Sequence, residues 1–273
     1  MKKFLAFLFT AVLCVTCAAF AACKEEEDTV SVDEITITAP ASTEIKAGDK
    51  FSLEYTVLPA EVAESAKVEW EISDRTKLSY ANGEFTALTC GNVTVTARVK
   101  GNEVYDQIDL KVIAPEGYKE FKGNGYSLVY HTLWNHTTVA GIDTWTSPYY
   151  EDGTTASMNV TTETLNEAYF KAPASFFQST YEISFGLMGY TVTFDEPVTV
   201  EKSTYLGVER LQVNCLYSLT VSGVSTSIHQ TQLIFNNKEA NLSCVLTVTY
   251  GATHFTDSAA KLQETVFSQF MPA

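Results

Sequence analysis

Residues 208–250, VERLQVNCLYSLTVSGVSTSIHQTQLIFNNKEANLSCVLTVTY, contain three apolar runs separated by two short breaks. The runs are Val208–Val221, Ser227–Phe235 and Asn241–Tyr250, and they are rich in the β-branched and aromatic residues that favour strands. Each break carries a residue pair typical of turns, Ser-Gly in the first and Asn-Asn in the second. The stretch therefore predicts a β-meander, three consecutive antiparallel strands at the centre of a sheet.

More strands and a helical region are predicted before the meander. Two strand-like segments, Tyr118–Phe121 and Tyr126–His131, flank the sequence KGNG, which is typical of a hairpin turn. Further strands are predicted at Ala156–Val160 and Gly189–Phe194. Between these two, apolar residues at helical spacing predict helix on both sides of Pro173, because proline interrupts an α-helix.

After the meander, apolar residues recur at helical spacing up to Phe270 and predict a terminal helix. Residues 117–273 are thus predicted to form an α+β domain, an antiparallel sheet with packed helices. Four segments of it resemble the PsbP-like fold, which also occurs in small bacterial lipoproteins: Gly125–Trp134, Gly207–Tyr217, Asn241–Tyr250 and Val266–Phe270. The resemblance implies a protein-binding or accessory scaffold that catalyses no reaction.

Residues 32–113 show a different pattern, a short-range alternation of apolar and polar residues. Alternating segments begin at Phe51, Val68, Val93 and Ile108, and turn-forming residues stand between them. About seven short strands in a stretch of this length predict a small all-β sandwich. The chain is therefore predicted to be a mixed, two-domain protein, with the joint at residues 114–117.

The residues of this sandwich also carry a family resemblance. The sequences AGDKFSLEYTVLPA (47–60), VEWEISD (68–74), NGEFTAL (82–88) and GNVTVTARV (91–99) resemble, in order and spacing, the group 2 bacterial immunoglobulin-like domain of invasin- and intimin-type surface proteins. The resemblance implies a spacer or adhesive unit without an enzyme site. It also implies that Trp70 is a core residue between two sheets.

The first 22 residues are predicted to be a lipoprotein signal peptide. A positive start is followed by an uncharged run, Phe4–Ala22, with small residues directly before Cys23. This resembles a bacterial lipoprotein signal and implies that Cys23 is the mature N-terminus and carries lipid, so that the membrane is a partner. Two alternatives remain: the run could span a bilayer uncleaved, or ordinary cleavage could release the protein.

Residues 23–31 are predicted to be an acidic linker. The sequence KEEEDTVS after Cys23 resembles the surface-export signal of Bacteroidota lipoproteins, although a Gram-positive lipoprotein would tolerate it equally. The net charge of the whole chain is −15, and removal of Lys2 and Lys3 with the signal leaves 16 basic against 33 acidic residues, or −17. Such a charge repels phosphate backbones, so a nucleic-acid partner is not expected.

The sequence holds no recognisable catalytic or cofactor motif. The four histidines show no paired metal-ligand spacing, and His136 is predicted to lie in a loop. Ser258 and Lys261 fit the S-x-x-K motif of penicillin-binding proteins, but the companion K-T-G is missing. We therefore expect no catalytic residue, no metal site and no cofactor.

One stretch, IDTWTSPYYEDGTT at residues 142–155, is a candidate recognition surface. Its aromatic residues Trp145, Tyr149 and Tyr150 stand among turn formers, and aromatic rings on a loop suit sugar or protein ligands. The alternative is that Trp145 belongs to a strand and faces the core while the tyrosines cover the sheet edge.

Two functions fit these features. The first is a lipid-anchored, non-catalytic binding or adhesion protein of the cell envelope or cell surface, with the immunoglobulin-like domain as spacer and the α+β domain as recognition head. The second is an envelope accessory protein that scaffolds a membrane complex. The three cysteines beyond Cys23 are predicted to be free thiols, because Cys215 and Cys244 fall on strands separated by a third strand and Cys90 has no partner within its domain.

Overall fold

The computed structural model describes residues 31–273. The predicted signal peptide, Cys23 and most of the acidic linker lie outside these residues. The described chain folds around separate groups of buried side chains, one before residue 113 and two after residue 117. A mixed arrangement of an all-β domain and an α+β domain is thereby confirmed.

The first domain consists of nine short strands, which are β1 (Glu34–Ile37), β2 (Glu44–Lys46), β3 (Lys50–Phe51), β4 (Tyr55–Leu58), β5 (Val68–Ile72), β6 (Leu78–Ala81), β7 (Glu84–Ala87), β8 (Gly91–Val99) and β9 (Tyr105–Ile113). One sheet has the order β2-β9-β8-β5, with β2 parallel to β9. The other strands form the sheet β3-β7-β6 and the pair β1-β4. The alternating residues of β8, such as Val93, Val95 and Ala97, are buried between the layers.

Trp70 on β5 is half-buried and packs against the core. Its ring contacts the buried Phe85 edge to face, with ring centroids 5.3 Å apart. The rings of Tyr55 and Tyr80 lie on either side, at 5.9 and 6.2 Å. The tryptophan is therefore a packing residue at the border of the sandwich core, held by ring contacts and still partly accessible.

The second domain adds eleven strands and two α-helices. The strands are β10 (Tyr118–Lys122), β11 (Tyr126–His131), β12 (Asn135–Val139), β13 (Ile142–Thr146), β14 (Ser157–Thr164), β15 (Thr191–Phe194), β16 (Thr199–Tyr205), β17 (Val208–Val221), β18 (Val224–Asn237), β19 (Leu242–Gly251) and β20 (Met271–Pro272). The helices are α1 (Ala174–Leu187) and α2 (Asp257–Gln269). Helix α2 begins after Thr256, whose hydroxyl accepts a hydrogen bond from the backbone N–H of Ala259.

These strands form one large and one small antiparallel sheet. The large sheet has the order β12-β13-β14-β19-β18-β17, and both β15 and β16 pair with the outer edge of β17. The small sheet has the order β10-β11-β20. One face of the large sheet packs on α2 and the small sheet, and the other face packs on α1. The predicted antiparallel sheet with packed helices is thereby confirmed.

The region around Pro173 differs from the prediction. Strand β14 pairs with β19 as far as Thr164 opposite Leu242, which leaves too few residues before Pro173 for an α-helix. These residues form a turn and one turn of 3-10 helix, Tyr169–Lys171. Pro173 itself stands directly before α1, where the missing N–H of proline costs nothing. The proline thus precedes a single helix and does not separate two.

The meander is present, with its first turn at the predicted Ser222-Gly223 and its second turn beyond the predicted Asn236-Asn237. Val221 pairs with Val224 around Ser222-Gly223, so Cys215 lies opposite Gln230. The second turn spans residues 238–241, so Cys244 lies opposite Phe235. The side chain of Cys215 packs on the α1 face of the sheet and that of Cys244 on the α2 face. Both are free, as is Cys90, which confirms the prediction of free thiols.

The two domains touch through Gln269 at the end of α2. Its amide N–H donates to the carbonyl of Leu88 at 2.6 Å, and its amide oxygen accepts from the N–H of Cys90 at 3.1 Å. A surface ion pair between Lys46 and Glu116 adds a second link near the joint. Because Gln269 is buried, its two hydrogen bonds tie α2 to the loop between β7 and β8.

Candidate functional site

The structure divides the three predicted binding residues between the core and the surface. Trp145 lies on β13 opposite Met158 and is 0% exposed. It contacts the rings of Phe121 and His136, at 5.1 and 4.7 Å between centroids. Of the two interpretations of Trp145, the structure therefore confirms the one in which it belongs to a strand and faces the core, and the one in which it offers its ring to a ligand from a loop is wrong. The alternating pattern of the sequence IDTWT extends β13 to Thr146 and directs the side chain of Trp145 into the core.

Tyr149 and Tyr150 belong to the loop that follows β13, residues 147–156. Tyr149 is 81% exposed. The loop closes on itself through the N–H of Tyr150, which donates to the carbonyl of Thr154 at 2.8 Å. Ser147 and Ala156 form the base of the loop through a backbone hydrogen bond of 2.9 Å. The loop thus presents Tyr149 to solvent from a hydrogen-bonded frame.

His254 holds this loop to the sheet. Its ring stacks on the ring of Tyr150 with centroids 4.0 Å apart and planes 7° from parallel. Its Nε2 atom lies 2.8 Å from the Oδ2 atom of Asp152. The hydroxyl of Thr154 and then His254 hold the pKa of Asp152 well below its usual range, so Asp152 is ionised at neutral pH.

These residues border a cleft of about 490 Å³, here called the aromatic cleft. Its lining includes the side chains of His131, Leu133, Trp134, Tyr149, Tyr150, Tyr250, His254 and Ser258. The volume falls within the range of about 300–1,000 Å³ that is usual for ligand pockets. The exposed side chains of Leu133 and Tyr149 supply the apolar surface that a ligand could cover.

Our sequence reasoning missed several residues of the aromatic cleft. Leu133 stands in the turn between β11 and β12, and Tyr250 and His254 stand at the end of β19 and just beyond it. These residues are about a hundred positions apart along the chain from Leu133, and strand pairing of β14 with β19 brings them together. The sequence indicated that His254 lies in a loop, but nothing in the neighbouring residues indicated that its ring would pair with Asp152.

A second polar group lies beneath β12 and β13. The hydroxyl of Tyr126 donates to Asp143 at 2.5 Å, the hydroxyl of Thr138 donates to it at 2.6 Å, and His136 Nε2 lies 3.1 Å away. Burial disfavours the Asp143 carboxylate, but these hydrogen bonds outweigh burial and lower its pKa. His136 lies on β12, so the prediction from sequence that it lies in a loop is wrong. Because these hydrogen bonds occupy the Asp143 carboxylate, the group has a structural role and stabilises the hairpin of β12 and β13.

No group of metal-ligating residues suited to hold an ion occurs among residues 31–273. In the same part of the chain, no helix has both the length and the apolar character needed to cross a membrane. The predicted lipid attachment at Cys23 lies outside the described residues.

Comparison with known proteins identifies the first domain. Residues 31–107 match the family model of the bacterial Ig-like domain (group 2), so this segment forms a domain of that family. No curated protein matches the chain.

Solved structures are similar to a little more than half of the chain. Cyanobacterial PsbP (CyanoP) from Synechocystis sp. PCC 6803 shares 13% identity and covers 59% of this chain and 95% of its own, with a TM-score of 0.44. The Ran-binding protein Mog1p from Saccharomyces cerevisiae shares 12% identity over 56% of this chain and 94% of its own, with a TM-score of 0.36. PA94 from Pseudomonas aeruginosa, a protein of unknown function, shares 10% identity over 57% and 97%, with a TM-score of 0.34.

Proposed function

We propose that the chain is a lipid-anchored, non-catalytic binding protein of the bacterial cell envelope, displayed at the cell surface. The bacterial Ig-like domain serves as the spacer, and the α+β domain serves as the recognition head. The observation that carries this proposal is the aromatic cleft with its exposed Tyr149, because an exposed aromatic ring beside a formed cleft is a feature of binding sites.

The anchor is the second part of the proposal. A lipid on Cys23 would fix the chain to a membrane, and the residues from Lys24 to Ser31 would separate the first domain from it. Fully extended, such a leash reaches on the order of 25 Å at about 3.3 Å per residue. The acidic charge of the leash and of the domains keeps the protein away from anionic headgroups, so the recognition head faces outward.

A second candidate function, an envelope accessory or scaffold protein, is favoured by one surface of α1. Phe176, Ile183 and Leu187 recur on one side of this helix and are exposed. The helix contains no Lys or Arg and one acid, Glu182. An exposed apolar face of this kind is typical of a surface that contacts another protein. In this alternative the protein stays inside the envelope and α1 contacts a membrane complex.

Metabolic labelling with a fatty acid tests the anchor. Cells that produce the wild-type chain should incorporate label into it, whereas the Cys23→Ser variant should remain unlabelled and accumulate as precursor or secreted protein. Cys90→Ser is the matched control and should be labelled like the wild type. Label in the Cys23→Ser variant would show that the lipid is attached elsewhere or that the anchor is of another kind.

Protease treatment of intact cells separates the two functions. A displayed recognition head is removed from intact cells, and an accessory protein inside the envelope is removed only after the cells are permeabilised. Protection in intact cells would therefore contradict the surface-binding function and favour the scaffold.

A further inference from the structure

A second pocket lies between α1 and the large sheet, on the face of the sheet opposite to the aromatic cleft. It is here called the α1 pocket, and its volume is about 320 Å³. This volume falls within the range of about 300–1,000 Å³ that is usual for ligand pockets. Five of its twelve lining residues are aromatic: Tyr169, Phe176, Phe177, Tyr181 and Phe185. A site on this face of the sheet goes beyond the recognition proposed for the aromatic cleft.

Most of the aromatic rings of the α1 pocket have accessible surface. Phe176 is 47% exposed, and Tyr169, Tyr181 and Phe185 are half-buried. Phe177 is buried and supports its neighbours. Its ring lies edge to face with that of Phe176, with centroids 5.3 Å apart, and is stacked on that of Tyr169 at 6.3 Å. Because one buried ring holds both, Tyr169 and Phe176 keep a fixed position in the lining and can be covered by a ligand.

The α1 pocket contains one charged side chain among the described residues that line it, the exposed Glu163. Burial and then Glu163 raise the pKa of the Tyr169 hydroxyl to about 12, so the carboxylate lies close to that residue. The other polar side chains of the lining are neutral: Thr161, Thr180, Ser184 and Gln232. The pocket therefore combines accessible aromatic rings with one negative charge and, within the described lining, no positive charge.

This combination favours a cation with apolar substituents. The face of an aromatic ring attracts a positive charge, and several rings together bind ammonium groups. A carboxylate beside the rings adds a Coulomb attraction of the same sign. The net charge of the chain, −15, also attracts cations to its surface and repels anions. A neutral molecule of the same shape gains the apolar contact with the rings but neither of these electrostatic attractions.

We propose that the α1 pocket binds a small organic ammonium ion, with its positive nitrogen between the rings of Tyr169 and Phe176 and the carboxylate of Glu163. The apolar substituents of the ion cover the accessible surface of the remaining rings. A free ammonium compound and the ammonium headgroup of a lipid share this chemistry. A sugar or a neutral apolar molecule fits less well, because it leaves Glu163 without a counter-charge.

The test compares two probes of nearly the same shape, choline and its uncharged carbon analogue 3,3-dimethyl-1-butanol. Ligand-observed NMR measures their binding to the full chain in an uncharged maltoside detergent. We expect choline to bind and the alcohol to bind about tenfold more weakly, because it lacks the positive charge. Glycerophosphocholine distinguishes the two sources. Weaker binding than choline indicates a free ion, since the acidic chain repels its phosphate, and equal or tighter binding indicates a lipid headgroup.

Two substitutions in the lining test the assigned contacts. Glu163→Gln should weaken the binding of choline about tenfold and leave that of the alcohol unchanged, because it removes only the charge. Phe176→Leu keeps an apolar side chain without the ring, so it should weaken choline about three- to tenfold more than the alcohol. Glu201→Gln is the matched control, an exposed acid on β16 outside the lining, and should bind choline like the wild type.

The neutral probe separates recognition from folding, because a collapsed pocket loses both probes and a pocket without its charge loses only choline. Equal binding of choline and the alcohol to the wild type would overturn the proposal. So would no binding of choline, tetramethylammonium or benzyltrimethylammonium at millimolar concentration. Equal weakening of choline by Glu163→Gln and Glu201→Gln would also overturn it, because the attraction would then belong to the acidic surface in general. Tyr149→Ala, in the aromatic cleft, should leave choline binding unchanged, so this test is independent of the function proposed for that cleft.

Discussion

The two domains differ in how completely their buried polar groups are paired. The first domain has an almost purely apolar core in which Val, Ile, Leu and Ala side chains predominate. The second buries charged and amide side chains as well. Within residues 31–273, five buried side-chain nitrogen or oxygen atoms lack a partner, and all belong to the second domain: Trp145 Nε1, Arg210 Nε, His229 Nδ1, Tyr250 Oη and Gln263 Oε1.

This difference is consistent with the proposed roles of the first domain as a spacer and of the second as a recognition head. When the local sequence pattern, the packing and the hydrogen bonding of buried polar groups in a domain all favour the same fold, the domain is optimised for stability alone. Departures from this consistency concentrate at functional sites. The first domain shows this consistency, as we expect of a spacer. The second domain keeps unpaired polar groups, and one of them lines the aromatic cleft. The comparison therefore supports placing recognition in the second domain.

The largest effect is expected at Arg210, the buried cation of the second domain. Its guanidinium donates to the carbonyls of Phe267 and Phe270 at 3.0 and 2.6 Å, at the C-terminal end of α2, and stacks on the ring of Tyr205. Burial lowers its pKa to about 10, so it stays protonated at neutral pH. Arg210→Met should destabilise the second domain by about 2–4 kcal/mol, because it leaves these carbonyls unpaired.

Urea unfolding monitored by hydrogen-exchange mass spectrometry measures this effect separately in each domain. The matched control is Arg98→Met in the first domain, where the side chain pairs with Glu71 on the surface and lies over Tyr105. The control should cost less than about 1 kcal/mol, since exposed ion pairs contribute little. Equal losses of unfolding free energy in the two variants would show that the difference between the domains in the pairing of buried polar groups does not affect stability.

The next effect concerns the contact that joins the two domains. Gln269→Leu removes both hydrogen bonds to the loop between β7 and β8 and leaves the groups on Leu88 and Cys90 unpaired. We expect a loss of about 1–3 kcal/mol and the separation of one unfolding transition into two. Differential scanning calorimetry of the full chain measures both.

Gln263→Leu provides the control on the same helix. The Gln263 amide makes one long contact of 3.4 Å to Thr231 within the second domain, and its oxygen is unpartnered. This variant should change stability by less than about 1 kcal/mol and leave the number of transitions unchanged. If Gln269→Leu behaves like Gln263→Leu, the two domains are energetically independent, and the hydrogen bonds of the Gln269 amide contribute nothing to stability.

The same contrast explains what could be predicted from sequence. The alternation in VEWEISD and GNVTVTARV predicted strands β5 and β8 because each half-buried strand carries its own period-two signal. The three-strand meander was predicted from its runs of β-branched and aromatic residues and the turn residues between them. Its register was not, since the Lys238–Asn241 turn is longer than Asn-Asn alone indicates and a local pattern does not fix pairing across a turn.

The aromatic cleft was predicted only in part. Tyr149 and Tyr150 could be recognised because aromatic residues beside turn formers indicate a loop surface. His254 and Leu133 could not, because only the folded chain brings them to that loop. For Trp145 the sequence left two interpretations open, a ring on the loop surface or a strand residue that faces the core, and β13 extends past it and buries the ring. The sequence thus identified one segment that borders the aromatic cleft. Which other side chains line the cleft depends on strand pairing in the folded chain.

The smallest effect involves Cys215 and Cys244, which test the strand order and register of the meander. They lie on β17 and β19 with β18 between them, and their side chains point to opposite faces of the sheet. No disulfide can join them in this arrangement. Burial raises the pKa of Cys215 to about 11 and that of Cys244 to about 12, so both thiols should react slowly in the native protein.

Thiol labelling followed by mass spectrometry gives the count. In the unfolded, unreduced mature protein we expect three reactive thiols, at Cys90, Cys215 and Cys244, since the proposed lipid would block Cys23. A reduced sample is the control and should give the same number, because no bridge is present to open. In the native protein, Cys90 should react before the other two, since it is half-buried and they are fully buried. One thiol before reduction and three after it would mean that a bridge exists and that the register of β17, β18 and β19 differs from the one described.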